Sequence, residues 1–377
     1  MPIETPGYSA QAALTAYTSL PEYMEAGFVY VHAGCRGRDA GAPAGVTDIK
    51  AAVRYLRYTD NTIPGDAEKI FVFGMSGGGA QSAIVGAAGD SELYAPYLEQ
   101  IGAVQGVSDA VYGSMDWCPI TNLDSADEAY EWMMGVTRSG LSDEEQAISD
   151  AMAVSFADYI NQAGIKDENG NVLTLEESAE GIYQAGSYYD YIVGVVENSL
   201  NSFLSDTEFP YDSSSGGNEG GPGGRGAFDQ LDAGQGENEL FGYGDGNGTH
   251  FDALLADILK ELESSFASDF EEDLQKTDMA GYTVAQRLNM YTPLYYLLES
   301  QDGYRASTPA KHWRIRTGIA QSDTSLTTEV NLALALQNYD GVESVDFATV
   351  WGQKHVKAER TGDSSTNFIA WVKECMK

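Results

Sequence analysis

The chain has 377 residues, 43% of them hydrophobic, and sets 57 acidic against 21 basic side chains for a formal net charge of −36. That is length enough for a large core, a main domain with a smaller one. The acidic excess reads as a solubilising surface; it repels nucleic acid, anionic membrane and polyanionic substrates, and no apolar run is long enough to span a bilayer.

In chain order, the first twenty residues lack the basic start and apolar core of a secretory signal. SAQAALTAYTSLPEYMEAG (9–27) reads as a helix, and GFVYVHA (27–33) as a strand buried on both faces of a parallel sheet. VTDIKAAVRYLRYTD (46–60) is helical, NTIPGDAEK is a turn cluster, and IFVFG (70–74) is the next buried strand. GGGAQSAIVGAAG (77–89) is a helix of small residues, and IGAVQGVS (101–108) a further short strand. Alternating strands and helices predict a doubly wound, mostly parallel sheet.

The pattern then changes. Ser142–Glu145 and Thr174–Glu177 are capping boxes, the second following an Asn169-Gly170 turn. Ile148, Met152, Phe156, Tyr159 and Ile160 form one apolar face, and 252–264 is a second amphipathic helix. Between these helices, YDSSSGGNEGGPGGRG (211–226) holds seven glycines in sixteen residues and is expected to be a mobile loop. Alternation resumes with HWRIRTGIAQ (312–321), LTTEVNLALALQNY, SVDFATVWGQ (344–353) and TNFIAWVKECM. The expected organisation is a core in two parts, 1–119 and 306–377, with a helical lid inserted at 120–305.

Gly74-Met75-Ser76-Gly77-Gly78 fits the G-x-S-x-G elbow of serine hydrolases, a pattern this glycine content supplies by chance about 0.3 times. Its surroundings lift it above chance. A strand precedes Ser76 and a helix follows, Asp323 lies just past the strand at 312–321, and His355 just past that at 344–353. The order Ser, Asp, His and the placement at strand C-termini are those of an α/β-hydrolase site. A serine hydroxyl needs a base to take its proton: His355 would do so, an acid would hold the imidazole's tautomer, and the Gly77 N–H would face the developing oxyanion. Plainer readings stay open: a flexible glycine turn for Ser76, a surface histidine for His355, and helix capping by Asp323 in QSDT.

His32, His250 and His312 read as structural, and the four histidines form no metal-binding spacing. Cys35, Cys118 and Cys375 are too few for a disulfide framework. No metal or organic cofactor is expected. A nucleotide-binding reading lacks both the P-loop lysine and a ribose-reading acid.

The motifs AAVRYLRY, PGDAEKI, GMSGGG, CPITNLDSADEAYEW, KDENGNVLTLEES, GENELFG, HWRIRTGIAQSDTS, VWGQKH and NFIAWV together make the chain resemble the bacterial, subtype B tannase branch of the α/β-hydrolases, close to feruloyl esterases. The resemblance implies hydrolysis of phenolic esters beneath a lid whose Lys, Glu and Asp side chains clasp a galloyl ring. It carries the nucleophile onto Ser76, the base onto His355 and the ring-binding glutamate onto Glu237. Where the family pattern has D-x-D, this chain has Gln321-Ser322-Asp323. Gln321 has no charge to stabilise an imidazolium, so Asp323 is expected in the triad and Gln321 beside the ring. The family's lysine has only Arg225 in its neighbourhood. MPIETPG alone precedes the first helix, so N-terminal strands of the fold are expected to be missing. The second oxyanion-hole N–H is expected upstream of residue 1 or within the first seven. The function expected is a serine esterase acting through an acyl-enzyme on a small-molecule ester. Alternatives are a peptidase or acyltransferase on the same fold, or a catalytically weak ligand-binding homologue.

Overall fold

The protein is described by a computed structural model that covers residues 1–14, 20–210 and 229–377. In chain order the core begins with β1 (Pro2–Ile3), α1 (Pro21–Glu25), α2 (Ala44–Tyr58), β2 (Phe71–Met75), α3 (Gly77–Ala87), α4 (Ala95–Gln100) and β3 (Gly113–Trp117). Among the described residues eight α-helices follow before the next strand: α5 (Ala126–Met134), α6 (Asp143–Ala163), α7 (Ser187–Asp206), α8 (Gly236–Leu240), α9 (Ala253–Glu261), α10 (Ala267–Leu274), α11 (Val284–Tyr291) and α12 (Pro293–Leu297). The core then closes with β4 (His312–Gly318), α13 (Leu326–Gln337), β5 (Ser344–Val350) and α14 (Ser364–Cys375).

The five strands pair in chain order and every pair is parallel, with Phe73 opposite Met115, Met115 opposite Arg314 and Arg314 opposite Asp346. β3 and β4 are buried throughout, as central parallel strands must be when helices cover both faces, whereas β5 is the half-exposed edge. α3 is buried along its whole length because its glycines and alanines let it lie close on β2 and β3. This is the α/β-hydrolase fold, and all five strands point their C-termini at one edge, where such sheets carry their sites.

Several expectations are corrected. The segment 27–33 pairs with no strand among the described residues: Phe28 and Tyr30 pack on an apolar cluster with Tyr23 and Phe73, while Val29 is exposed. The two-residue β1 offers too short an edge for it. The helix expected at 9–27 reduces to α1, opened by Pro21; Gln11 instead makes an isolated bridge to Cys35, and 15–19 lie outside the described residues. The third strand lies past 101–108, where Gly102 and Gly106 turn with φ of 71°. Its sequence, GSMDW, hides behind two buried polar residues, Ser114 and Asp116. The capping box at Ser142 is present and opens α6, with Ile148, Met152, Phe156 and Ile160 buried. The one at Thr174 opens no helix; Glu176 bridges Ala185 instead. The glycine-rich loop 211–226 lies outside the described residues. The first residues do join the sheet, as β1 beside β2.

Candidate active site

Ser76 stands at the junction of β2 and α3 with φ 61° and ψ −128°, a backbone conformation costly for any residue with a side chain. It occupies the N-cap position of α3, yet its side chain caps nothing. The backbone holds the turn: the Ser76 N–H donates to Trp117 O at 3.0 Å, and Ala80 N–H donates to Ser76 O at 2.8 Å. Gly77, at the first turn of α3, sits against the loop after β1. A Cβ added there would meet Tyr8 N at 2.5 Å, Thr5 O at 2.6 Å and Gly7 N at 3.2 Å. Only glycine lets this loop close over the helix N-terminus. Tyr8 is itself at φ 58°, and its hydroxyl donates to Ile120 O.

His355 lies in the loop after β5. That loop reaches the end of β4 because Gly318 has no side chain; a Cβ there would stand 2.1 Å from Lys354 O. Ala320 N–H donates to Gln353 O at 2.9 Å, and the Cys118 thiol donates to Val356 O at 3.2 Å. Burial pushes the Cys118 thiol up to about 12, which leaves it an inert pin. Ser76, bonded to Trp117, and His355, between residues pinned by Cys118, thus approach the same strand end.

The histidine's partner differs from the expectation. Its Nδ1 is 2.8 Å from Gln321 Oε1 and 3.7 Å from Asp323 Oδ2. Asp323 is not the helix cap either, since Ser325 takes that position and accepts from Thr327 N–H. Gln321 in turn donates from Nε2 to Thr317 Oγ1 at 2.6 Å and to Glu329 Oε1 at 2.8 Å. Glu329, on the first turn of α13, is fully buried, and burial pushes its carboxyl up to about 8.

Between the inserted helices and the strand ends lies a cavity lined by Ile120, Leu123, Asp127, Tyr130, Arg138, Glu237, Asp323 and Thr324, among others. Glu237, on α8, and Asp323 thereby share one pocket, although α8 and the β4 end are far apart in sequence. Its described lining includes neither Ser76 nor His355; Asp323 connects it to the imidazole. Arg225 lies outside the described residues. The other histidines have partners of their own. His32 Nε2 is 3.1 Å from Ala12 O and lies in no strand, His250 Nδ1 is 2.8 Å from Asp273, and His312 Nδ1 is 2.8 Å from Ser344. Among the described residues no group of three or more His, Cys, Asp or Glu is placed to hold a metal ion, and no helix is long and apolar enough to cross a membrane.

Residues 8–163 match the BD-FAE family. A tannase structure from Fusobacterium nucleatum aligns with a TM-score of 0.77 at 31% identity, covering 100% of this chain and 85% of that one. The chain belongs to the tannase family. The tannin acyl hydrolase from Lactobacillus plantarum, at 30% identity and a TM-score of 0.77, likewise covers 100% of this chain, with 84% of its own length matched. No curated protein matches the chain. Two residues behind the histidine's partner and loop have little or no signal in the sequence. Glu329 was signalled only as a lone acid in the apolar helix LTTEVNLALALQ, and Glu359, which holds the histidine loop, carried no signal.

Proposed function

We propose that this tannase-family chain is a serine esterase that cleaves small aromatic esters bearing phenolic hydroxyls. The observation that carries the reading is Ser76, held at positive φ between strand and helix with a side chain that caps nothing. Its Oγ attacks the ester carbonyl while His355 Nε2 takes the proton. Gln321 Oε1 accepts the Nδ1–H and leaves Nε2 the basic nitrogen, and the Asp323 carboxylate supplies nearby negative charge to the imidazolium. The oxyanion is met by Gly77 N–H, with the second donor drawn from the Thr5–Tyr8 loop packed on Gly77. Collapse of the tetrahedral species releases the alcohol, protonated by His355. Water then attacks the acyl-Ser76 by the same route.

Residues 120–305 act as a lid over the acyl pocket. With Arg138 paired to Glu131, the lining carboxylates Asp127, Glu237 and Asp323 favour a ligand that donates hydrogen bonds, as phenolic hydroxyls do. Solved tannin acyl hydrolases with which the chain shares 30% identity hold ethyl gallate and 3,4-dihydroxybenzoate, which supports the same class here. Hydrolysis of methyl gallate, methyl ferulate, a short aliphatic ester and a matched aryl amide tests the reading, with fluorophosphonate labelling in parallel. The aryl esters should turn over, with Ser76→Ala lowering kcat by roughly 10³-fold or more. An unlabelled Ser76 and no turnover of any ester would overturn it.

A further inference from the structure

We propose that Glu329 is a positioning residue for the esterase reaction: its Oε1 holds the Gln321 amide in one orientation, and that orientation holds His355 in the Nδ1–H tautomer. The inference rests on the reading of His355 as the general base. Asparagine and glutamine amides are ambivalent, presenting an acceptor oxygen at one corner and a donor nitrogen at the other. A carboxylate on Nδ1 accepts only and fixes the tautomer by itself; an amide on Nδ1 fixes it only if something fixes the amide. If Gln321 turned over, its NH₂ would face Nδ1, the imidazole would carry its proton on Nε2, and the base would be lost to the serine.

Glu329 opposes that turn. Its Oε1 lies 2.8 Å from Gln321 Nε2 and accepts in addition from Thr317 Oγ1 at 3.2 Å. Thr317 Oγ1 is 2.6 Å from the same Nε2. A turned amide would set its oxygen against Glu329 Oε1, two acceptors at contact unless the Glu329 proton moved between them. Glu329 is 0% exposed and its Oε2 meets no hydrogen-bond partner among the described residues, so Gln321 and Thr317, both on Oε1, are its side-chain partners there. Burial favours its protonated form near neutrality. What orients Gln321 is the Oε1 lone pair that its Nε2 donates to.

The test uses the full chain labelled with ¹⁵N-histidine. Its four histidines give resolvable imidazole signals, His355 being assigned by its loss in His355→Asn. Above the imidazole titration, wild type should show Nδ1 protonated and Nε2 bare. Glu329→Leu should shift His355 to the Nε2–H tautomer and lower kcat on an aryl ester by about 10²-fold or more, with KM within about twofold. Adding Gln321→Glu to Glu329→Leu installs an accept-only group and should restore the Nδ1–H tautomer in the same cavity, an outcome a purely structural role for Glu329 does not produce. The inference is overturned by an Nε2–H tautomer in wild type, by a folded Glu329→Leu that keeps Nδ1–H, or by a double variant that stays in the Nε2–H form. Fluorophosphonate labelling of Ser76 reads the esterase function separately. The tautomer comparison decides the role of Glu329 whether or not Ser76 is labelled.

Discussion

At the scale of single residues, the nucleophile and base we propose lie outside the described lining of the cavity. Ser76 and His355 stand at strand ends, whereas Glu237 and Asp323 line the cavity. Glu237 is 8% exposed, on a five-residue helix whose N-cap is Gln235, so its carboxylate is aimed by backbone and not by a flexible loop. A buried carboxylate placed to accept from a ring hydroxyl favours a substrate that carries one over a substrate that lacks it. Glu237→Leu should therefore raise KM for methyl gallate by at least about tenfold, with little effect on methyl benzoate, which has no ring hydroxyl to donate. Steady-state kinetics on the two esters check this. Equal losses on both would mean that Glu237 only shapes the lid.

At the scale of elements, the loop after β5 decides whether the histidine is in place, and a buried charge network holds that loop. Glu359 accepts from both Arg314 Nη atoms, at 2.7 and 2.6 Å, from Trp117 Nε1 at 2.9 Å and from Asn367 Nδ2 at 2.9 Å. Its backbone exchanges two hydrogen bonds with the Gln353 side chain. β3, β4, the histidine loop and α14 thus meet on one carboxylate. Removing the Glu359 charge leaves the buried Arg314 with Asp346 Oδ2 alone, 3.2 Å from its Nε, so Glu359→Gln should destabilise by about 3 kcal/mol in urea titrations and also lower kcat. The exposed pair Arg305–Asp340 supplies the contrast: Arg305→Ala should cost less than about 1 kcal/mol.

The same elements show what the sequence could reveal. The apolar strand β2, the β-branched and aromatic strand β5, and helices with a clear stripe or cap, α6 and α9, stand where composition and periodicity put them. The strand that fails, β3, carries Ser114 and Asp116 inward, where Ser114 Oγ donates to Asp116 at 2.7 Å and approaches Ser82 Oγ at 2.9 Å. Buried polar pairs of this kind are tertiary facts, invisible to local pattern. The segment 27–33 errs the other way, with strand composition but no ladder to join. At the site, the placement of Ser76 between β2 and α3 and of His355 after β5 is legible from order and position. Gln321 against Asp323 is not, because two residues two apart in a loop differ by side-chain direction alone.

For the whole molecule, the pH response follows from how much carboxyl the fold buries. Burial raises Asp124 to about 6, Asp252 to about 7, and Asp116 and Glu329 each to about 8. Unfolded, these groups titrate near 4. Between about pH 4 and 8 the folded protein therefore holds more protons than the unfolded chain, and stability must fall as pH rises through that window. Their contribution is complete below the unfolded values and lost as pH passes the folded ones. Other carboxylates act in the opposite sense at the acid end: Asp109, beside Lys50 and Arg54, is held below its ordinary value and loses its pairing as pH falls. Mildly acidic conditions satisfy both sets. Repulsion within a surface of net charge −36 adds to the alkaline loss, but 1 M salt shortens the screening length to about 3 Å and removes most of that component. In 1 M salt, Tm should still drop by on the order of 5 °C from pH 5.5 to 8.5. Asp116 isolates the buried cause, since Asn keeps an acceptor for Ser114 and mimics the protonated acid. Asp116→Asn should match wild type at pH 5.5 and exceed it at pH 8.5 in thermal melts. Parallel Tm curves for the two proteins would show that Asp116 does not titrate in this range and that the alkaline loss comes from elsewhere.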